Sequence, residues 1–206
     1  MLIGLYLAAA EAAHARLTEY DQAAGDGDFG DNLRDGLRGA HARIPDGADL
    51  ATETETAATY FLDEVGGTSG PLIGLLLRSV ASAAAASPSD VDAAVVRGLT
   101  EGTAAIQRVG EARVGDRTLV DCLAPTLDGL RGTAGPIDWT AAATAALAHA
   151  RATADLTPRM GRASYIGKRA LGTPDAGAIG VALFFWALAL YRDPASRDAL
   201  PDPAAL

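Results

Sequence analysis

Residues 20–32 read Tyr-Asp-Gln-Ala-Ala-Gly-Asp-Gly-Asp-Phe-Gly-Asp-Asn and separate two stretches with helical apolar spacing. Asp21, Asp26 and Asp28 fall within eight residues, and glycines beside the last two let the backbone turn their side chains inward. Converging carboxylates repel one another unless a cation lies between them, and their hard oxygens suit Mg²⁺, Mn²⁺ or Ca²⁺. A solvated acidic turn explains the same residues, since Asp-Gly pairs are common in turns. The spacing therefore leaves a metal-binding loop and a plain turn as alternatives.

Helical patterns continue along the rest of the chain. Aromatic residues make up only 5% of the sequence while Ala, Leu and Val dominate, which favours close-packed helices over an aromatic-rich sheet. The spacing predicts about eight helices, at 2–20, 32–43, 50–65, 72–86, 90–109, 117–131, 139–154 and 178–191, with breaks between them that include residues 132–135. We therefore expect a single all-α domain over residues 1–206, ending in a Pro-rich tail at 193–206.

The charge balance and the cysteine count limit the class of protein. The net charge is −9 and Lys168 is the only lysine, which disfavours nucleic acid and anionic membrane as partners. Cys122 is the only cysteine, so no internal disulfide forms, and a reducing compartment is expected. The first ten residues lack the basic region of a signal peptide, and the apolar run at 176–191 is short for a membrane span. We expect a cytoplasmic protein.

Two further loops contain residues that suit a phosphate group. Residues 66–71, Gly-Gly-Thr-Ser-Gly-Pro, open a helix with free N–H groups and two hydroxyls, although an ordinary helix cap is the simpler explanation. Residues 161–169 hold a cluster of positive charge in which Arg162 could contact a phosphate or a base, and a solvated basic loop is the alternative. Asp175 follows and could cap the last helix or line the same site.

Other chemical motifs are weak or absent in the sequence. Gly25-x-Gly27-x-x-Gly30 fits the dinucleotide-binding pattern, but a helical segment precedes it where that pattern needs a strand. Cys122 sits among apolar residues of a helix and is better explained as core than as a nucleophile. The histidines fit no triad, and no Walker-type loop is present. A phosphoryl-transfer function would therefore not be of the P-loop kind.

Taken together, the loops match one family. The chain resembles the DAK2 (DhaL) domain family, the nucleotide-binding subunits of dihydroxyacetone kinases, from about residue 21 to residue 191. The matching stretches are Asp21-x4-Asp26-Gly27-Asp28-x-Gly30-x-Asn32, Gly66-Gly67-x-Ser69-Gly70-Pro71, Gly115-Asp116-x-Thr118-x-x-Asp121, Gly161-Arg162-Ala163-Ser164-Tyr165-x-Gly167 and Pro174-Asp175-Ala176-Gly177-Ala178. Any one stretch is weak evidence, but all five in the same order are a specific match.

The resemblance implies a fold and a site. The fold would be an eight-helix antiparallel barrel, with a nucleotide and two Mg²⁺ ions in the loops at one end. By motif position, Asp21, Asp26 and Asp28 would bind the Mg²⁺ ions. The nucleotide, ADP or ATP, would be surrounded by Phe29, Gly30, Asp31, Asn32, Thr68, Ser69, Gly110, Leu119, Arg162, Asp175, Ala176 and Gly177.

The resemblance also implies a reaction and partners. Phosphoryl transfer needs positioning and charge neutralisation more than acid–base side chains, so no catalytic residue is expected beyond the metal ligands. A separate DhaK-like subunit would bind the sugar, and this chain would be inactive without it. The phosphoryl donor would be ATP or, as a separate short subunit favours, a phosphotransferase-system protein that rephosphorylates bound ADP. A homodimer is left open.

Two residues depart from the family pattern. Phe29 stands where the family has His or Cys, and Asp31 stands where a smaller neutral residue is usual. Phe29 cannot hydrogen-bond a phosphate, which keeps open a non-catalytic, nucleotide-sensing regulator. The favoured hypothesis is a subunit of a dihydroxyacetone-type kinase, and an ATP-dependent kinase component for another small ketose, such as erythrulose, is the enzymatic alternative.

Overall fold

The helices of the protein are defined in a computed structural model that describes residues 1–131 and 136–205. Nine α-helices and no β-strand occur in those residues, which confirms the all-helical prediction. The helices are α1 Leu2–Ala24, α2 Phe29–His41, α3 Leu50–Glu64, α4 Ser69–Ala86, α5 Val91–Gly110, α6 Val120–Leu130, α7 Trp139–Ala152, α8 Ala163–Ile166 and α9 Ala176–Arg192. Eight of them are long, and α8 is a single turn. The predicted break at 132–135 lies outside the described residues.

Helix boundaries differ from the predicted ones mainly beside the loops. α1 continues to Ala24, so Asp21 lies in its last turns and not in the acidic loop. α4 begins at Ser69 rather than at residue 72, because Pro71 then falls in the first turn, where its missing N–H is not needed. α9 begins two residues earlier than predicted. Each shift brings a helix end closer to a predicted site residue.

The eight long helices pack in a closed order. Each helix from α1 to α6 contacts the next one, α7 packs on α9, and α9 returns to α1. Further contacts join α6 to α9 and α2 to α9 across this ring. Tyr6 and Phe184 meet in the core, with ring centroids 5.3 Å apart and an edge-to-face arrangement. A closed order of this kind is what a helical barrel needs, while the barrel geometry itself stays a prediction.

Glycines set how closely several helices approach. A Cβ atom on Gly98 of α5 would lie 2.5 Å from the Cα atom of Val80 in α4. A Cβ atom on Gly74 of α4 would likewise lie 2.7 Å from Cγ of Leu62 in α3. A larger residue at Gly98 would have to move the backbone of α4, whereas one at Gly74 would have to move the side chain of Leu62, so Gly98 fixes the spacing of α4 and α5 and Gly74 allows α3 to pack closely on α4.

Carboxylates cap the helices that begin at one end of the molecule. Asp49, Asp90 and Asp138 precede α3, α5 and α7, and each accepts a hydrogen bond from the N–H group three residues further on, at 2.8–3.0 Å. α1 is capped from another helix, because the carboxylate of Glu53 accepts from its first two N–H groups at 3.1 and 3.2 Å. All four helices that start at this end therefore have an anionic cap.

The Pro-rich tail packs on the helices. Leu200 and Pro203 are buried, and Nε1 of Trp186 in α9 donates a hydrogen bond to the carbonyl oxygen of Pro201 at 2.9 Å. The tail also contacts α1. Residues 193–205 are therefore part of the folded domain.

One helix of the described residues, α4, is long and apolar enough to cross a membrane. Half of its span from Ser69 to Ala86 is buried inside the fold, and the core helix of a soluble protein passes the same test. This single helix is therefore weak evidence for a membrane span.

Candidate functional site

A cavity of about 410 Å³ opens at the end of the molecule where α1, α3 and α5 finish. The N-terminal ends of α2, α4, α6 and α9 complete its walls, together with residues 160–163. Neighbouring helices therefore run alternately towards the cavity and away from it. The predicted site residues that line the cavity are Asp21, Asp26, Asp28, Phe29, Asn32, Thr68, Ser69, Gly110, Leu119, Arg162, Asp175, Ala176 and Gly177.

Gly30 and Asp31 are the two predicted residues that do not line the cavity. The carboxylate of Asp31 pairs with Arg34 at 2.6 Å and with Nε2 of His14 at 2.9 Å, on the outer side of α1 and α2. Asn32 lines the cavity instead, because successive residues of a helix point about 100° apart. Gly30 packs directly against α1. The side chain of Asp31 therefore lies outside the site, contrary to its predicted place there.

The acidic loop forms the first wall of the cavity. Oδ2 of Asp21 accepts a hydrogen bond from the N–H of Phe29 at 3.1 Å, which ties the end of α1 to the start of α2. Asp26 forms an ion pair with Arg162, and Asp28 precedes α2 without capping it. In the described residues no three His, Cys, Asp or Glu side chains are arranged to hold a metal ion. The three aspartates share one cavity, but their carboxylates do not meet at one point.

The residues of this wall nevertheless suit magnesium. Carboxylate oxygens are the hard ligands that Mg²⁺ prefers, and a site of one or two carboxylates leaves positions free for phosphate oxygens. Gly27 has a φ of +83°, a left-handed conformation that only glycine adopts readily, so the loop can present Asp26 and Asp28 towards the cavity. Arg162 supplies the positive charge beside Asp26 that a metal ion would supply. The residue types and the loop therefore fit the ion.

Phe29 lies beneath the acidic loop. Its ring points towards α9, where a Cβ atom on Gly180 would lie 2.7 Å from Cζ. The residue is 7% exposed and belongs to the hydrophobic core. Its ring therefore fills the space that Gly180 leaves and packs α2 against α9, while the residue also borders the cavity.

The glycine loop before α4 forms the second wall. Thr68 is the N-cap residue of α4, yet its side chain makes no cap hydrogen bond. Gly70 lies too close to the carbonyl oxygen of Val65 for any side chain to fit. The N–H groups of Ser69 and Gly70 therefore have no capping side chain, and helix starts of this kind bind anions.

The loop before α6 forms the third wall, together with Gly110 and Leu119. The carboxylate of Asp121 holds this loop, because its two oxygens accept from the N–H groups of Gly115 at 2.5 Å and Thr118 at 2.8 Å. Arg117 lies inside the loop with a φ of +61° and is 1% exposed. Sequence reasoning did not select Arg117, since an arginine in a Gly-containing loop is usually solvated.

Asp175 starts the fourth wall, at the N-terminus of α9. Its Oδ2 accepts from the N–H of Ala178 at 2.8 Å and caps the helix, while its own N–H donates to Oγ1 of Thr153 at 2.8 Å. Burial raises the pKa of Asp175 to about 6, and the hydrogen bond from Ala178 and the charge of Arg117 oppose this rise. Asp175 caps α9 and also lines the cavity.

The helix starts at the cavity favour an anion. The N-cap residues of α2, α4 and α6 make no side-chain cap hydrogen bond, although the first N–H of α2 donates to Oδ2 of Asp21 at 3.1 Å and that of α6 donates to the hydroxyl of Thr118 at 3.2 Å. Each start carries a partial positive charge of about half an elementary charge. Three such ends beside carboxylates that suit a cation form a site for an anion that arrives with a metal ion. The fold and the site thus define a helical, anion-binding domain.

Comparison with known proteins identifies the family. The family model described as the DAK2 domain matches residues 23–190. The chain therefore belongs to the DAK2 domain family. It is 32% identical over 174 residues to "PEP-dependent dihydroxyacetone kinase 1, ADP-binding subunit DhaL" of Listeria innocua, covering 84% of both chains. It is 38% identical over 182 residues to "L-erythrulose 1-kinase" of Mycolicibacterium smegmatis, covering 84% of this chain and 32% of that protein.

A solved structure has the same fold. The crystal structure of the dihydroxyacetone kinase from C. freundii in complex with AMP-PNP and Mg²⁺ superposes with a TM-score of 0.71 and 27% identity, over 92% of this chain and 33% of that chain. The chain thus spans about a third of the erythrulose kinase and of this dihydroxyacetone kinase, and most of the length of the DhaL subunit.

Proposed function

We propose that this protein is the Mg²⁺-dependent nucleotide-binding component of a phosphotransferase that acts on a small ketose of the dihydroxyacetone type. The observation that carries the proposal is one cavity in which three aspartates meet the starts of α2, α4 and α6, whose N-cap residues make no side-chain cap hydrogen bond. Family membership supports it, because the ADP-binding DhaL subunits are relatives of nearly the same length. A protein of net charge −9 can hold a nucleotide in this way, since its local helix ends favour phosphate.

Asp21, Asp26 and Asp28 would hold the metal, as two ions if the family pattern applies. Bound Mg²⁺ would neutralise phosphate charge during transfer. The N–H groups of Ser69 and Gly70 would bind phosphate oxygens. Asn32, Gly110, Leu119, Arg162 and the wall from Asp175 to Gly177 would enclose the rest of the nucleotide. This assignment leaves out Gly30 and Asp31, which do not line the cavity, and gives no ligand contact to Phe29 and Thr68, which do.

The proposed partner is a separate sugar-binding subunit of the DhaK kind, with a phosphotransferase-system protein as a further candidate donor. Large apolar side chains lie exposed around the cavity, with Val109 at 64%, Val114 at 60% and Tyr165 at 87%. Exposed apolar groups close to a site commonly mark a protein contact. A partner that covers this rim would bring its sugar to the nucleotide and exclude water. We propose the cytoplasm as the location, where both nucleotide and ketose are available.

Erythrulose is a second candidate substrate. Three relatives at 34–38% identity are named erythrulose kinases, of which this chain spans about a third. The choice between ketoses would then rest with the sugar-binding partner, because nothing in the cavity of this chain distinguishes them. A coupled assay with the partner subunit, dihydroxyacetone and both erythrulose enantiomers would compare the substrates directly.

The first test is native mass spectrometry of the purified protein with Mg²⁺, alone and with ADP or ATP. Co-purified ADP that does not exchange would support the subunit that a phosphotransferase system recharges. Reversible ATP binding to an empty chain would support an ATP-dependent kinase component. Binding of neither nucleotide would overturn the proposal and favour a role outside phosphoryl transfer.

A further inference from the structure

The burial of Arg117 needs an explanation. It is the largest side chain that is fully buried among the described residues, and its φ of +61° is unusual for a residue other than glycine. Taking a guanidinium out of water is costly unless charged or hydrogen-bonding partners repay it. Costs of this kind concentrate at functional sites, and Arg117 lies in the wall of the cavity.

The partners of Arg117 are incomplete. Its Nη2 donates hydrogen bonds to the carbonyl oxygens of Thr173 at 2.8 Å and Ala170 at 3.4 Å. Nε and Nη1 are buried without a partner among the described residues. The neighbouring carboxylates are engaged elsewhere, since Asp116 accepts from the N–H of Arg113 and Asp121 holds Gly115 and Thr118. A neutral donor could make the two carbonyl contacts, so they do not explain why a charge is buried here.

The hydrogen bonds of Arg117 are made with the segment just before α9. Residues 170–173 are the segment immediately before Asp175, and the charge of Arg117 acts on the Asp175 carboxylate. Asp175 in turn caps α9 through Ala178. Ala176 and Gly177 follow it in the cavity wall. One buried cation thus holds the segment that enters α9, and its charge lowers the pKa of the carboxylate that caps that helix.

We propose that Arg117 is a positioning residue: the hydrogen bonds from its Nη2 fix residues 170–173, so that the N-terminus of α9 is held against the cavity. Its relevance to ligand binding rests on the proposed nucleotide site. The structural part of the proposal stands on the contacts of Arg117 alone.

The pH dependence of the cap distinguishes this role from simple packing. The charged and titratable groups that act on Asp175 or respond to it are Arg117 and Cys122 beside it, Asp121 of α6 and Asp21 of α1. Burial holds the pKa of Asp175 at about 6, so the cap weakens as the pH falls through that value. Arg117 lowers this pKa. Without its charge the pKa rises further, and the cap should weaken at a higher pH.

The experiment compares Arg117→Met, which removes the charge, with Arg117→Lys, which keeps it. Arg113→Met is the matched control, because it removes an exposed arginine of the same loop. Hydrogen exchange of the Ala178 amide would be followed by NMR between pH 5 and 8, with EDTA present and no nucleotide. We expect Arg117→Met to lower protection of that amide at least about tenfold at pH 7 and to shift its pH midpoint upwards, a change that simple loss of packing would not produce.

The outcomes separate the proposal from the proposed function. Partial recovery of Ala178 protection in Arg117→Lys, together with wild-type protection in Arg113→Met, would support the positioning role. If Arg117→Met does not fold, Arg117→Gln decides, because it keeps a hydrogen-bond donor but not the charge, and wild-type protection together with a wild-type midpoint in that variant would overturn the proposal. Weaker ADP binding in Arg117→Met with unchanged Ala178 exchange would also overturn it, in favour of direct contact with the ligand. If the wild-type protein binds no nucleotide, the proposed function fails, but the exchange data still test the positioning role of Arg117.

Discussion

The two ends of the molecule treat their helix starts differently. At the end away from the cavity, α1, α3, α5 and α7 each begin under a carboxylate, from Glu53, Asp49, Asp90 and Asp138. At the cavity end, the N-cap residues of α2, α4 and α6 make no side-chain cap hydrogen bond, Asp21 of α1 accepts from the first N–H of α2, and Asp175 caps α9. At the end away from the cavity, carboxylates occupy N–H groups in the first turns of the helices and stabilise them. At the cavity end, more of these N–H groups can bind a ligand.

This difference teaches where a binding site can come from in an all-helical protein. A cap contributes about 1 kcal/mol to stability, and its removal exposes N–H groups that attract an anion. Where helices alternate in direction, N-termini collect at both ends of the bundle. A smaller number of N-cap hydrogen bonds at one end then distinguishes the binding end from the structural end. The following predictions test that distinction, from the largest expected effect to the smallest.

Asp28→Asn should remove most of the Mg²⁺-dependent nucleotide binding. The change deletes a negative charge from the metal wall, so we expect affinity for Mg·ADP to fall about 1,000-fold, or about 4 kcal/mol. Isothermal titration calorimetry would measure the affinity, and circular dichroism should show unchanged helix content. Asp35→Asn, on the outer face of α2, is the control, and equal affinity in both variants would remove the metal assignment.

Glu53→Ala should damage stability and leave binding alone. It takes away the acceptor of two buried N–H groups at the start of α1, which should lower the free energy of unfolding by about 3 kcal/mol. Urea denaturation would measure the loss. Nucleotide affinity should stay within about twofold of wild type at a temperature where the variant is folded. A large loss of affinity in the folded variant would show that the two ends are not independent.

Thr68→Asp should give the cavity end a cap of the kind found at the other end. A carboxylate at the start of α4 interacts favourably with the helix dipole, so we expect about 0.5 kcal/mol of added stability. The same charge repels a phosphate, and nucleotide affinity should fall about tenfold, or about 1.4 kcal/mol. Thr68→Asn, which is uncharged, should keep most of the affinity. Tighter nucleotide binding in Thr68→Asp would contradict the idea of a phosphate site here.

Asp138→Ala should have the smallest effect. It removes the cap of α7, in which the carboxylate accepts a hydrogen bond from the N–H of Ala141 at 2.9 Å. The free energy of unfolding should fall by about 1 kcal/mol. Thermal melting would register this as a lower Tm, with no change in nucleotide affinity. Asp138→Asn can still accept the hydrogen bond, so its Tm should lie closer to that of wild type.

Much of the fold and the site was predictable because it depends on local sequence. The helical spacing, the capping residues Asp90 and Asp138, and the glycine loops follow from short-range rules. The family match rested on the order of five loop motifs, and the cavity collects nearly all of the residues chosen from them. The sequence prediction placed Asp31 in the site, and the structure places its side chain outside. The position of a residue in a helix does not show which face meets the cavity until the neighbouring helix is known.

Taken by itself, the sequence determined that the protein is helical, which segments form its helices, and which loops contain carboxylates, glycines and arginine. Only the tertiary structure decided that Arg117 is buried, that Phe29 packs on Gly180, and that Asp31 turns outward to Arg34. It also decided which helix starts share the cavity. The reason is that propensity and capping act within a few residues of the chain, whereas burial and helix direction depend on contacts between segments far apart in sequence.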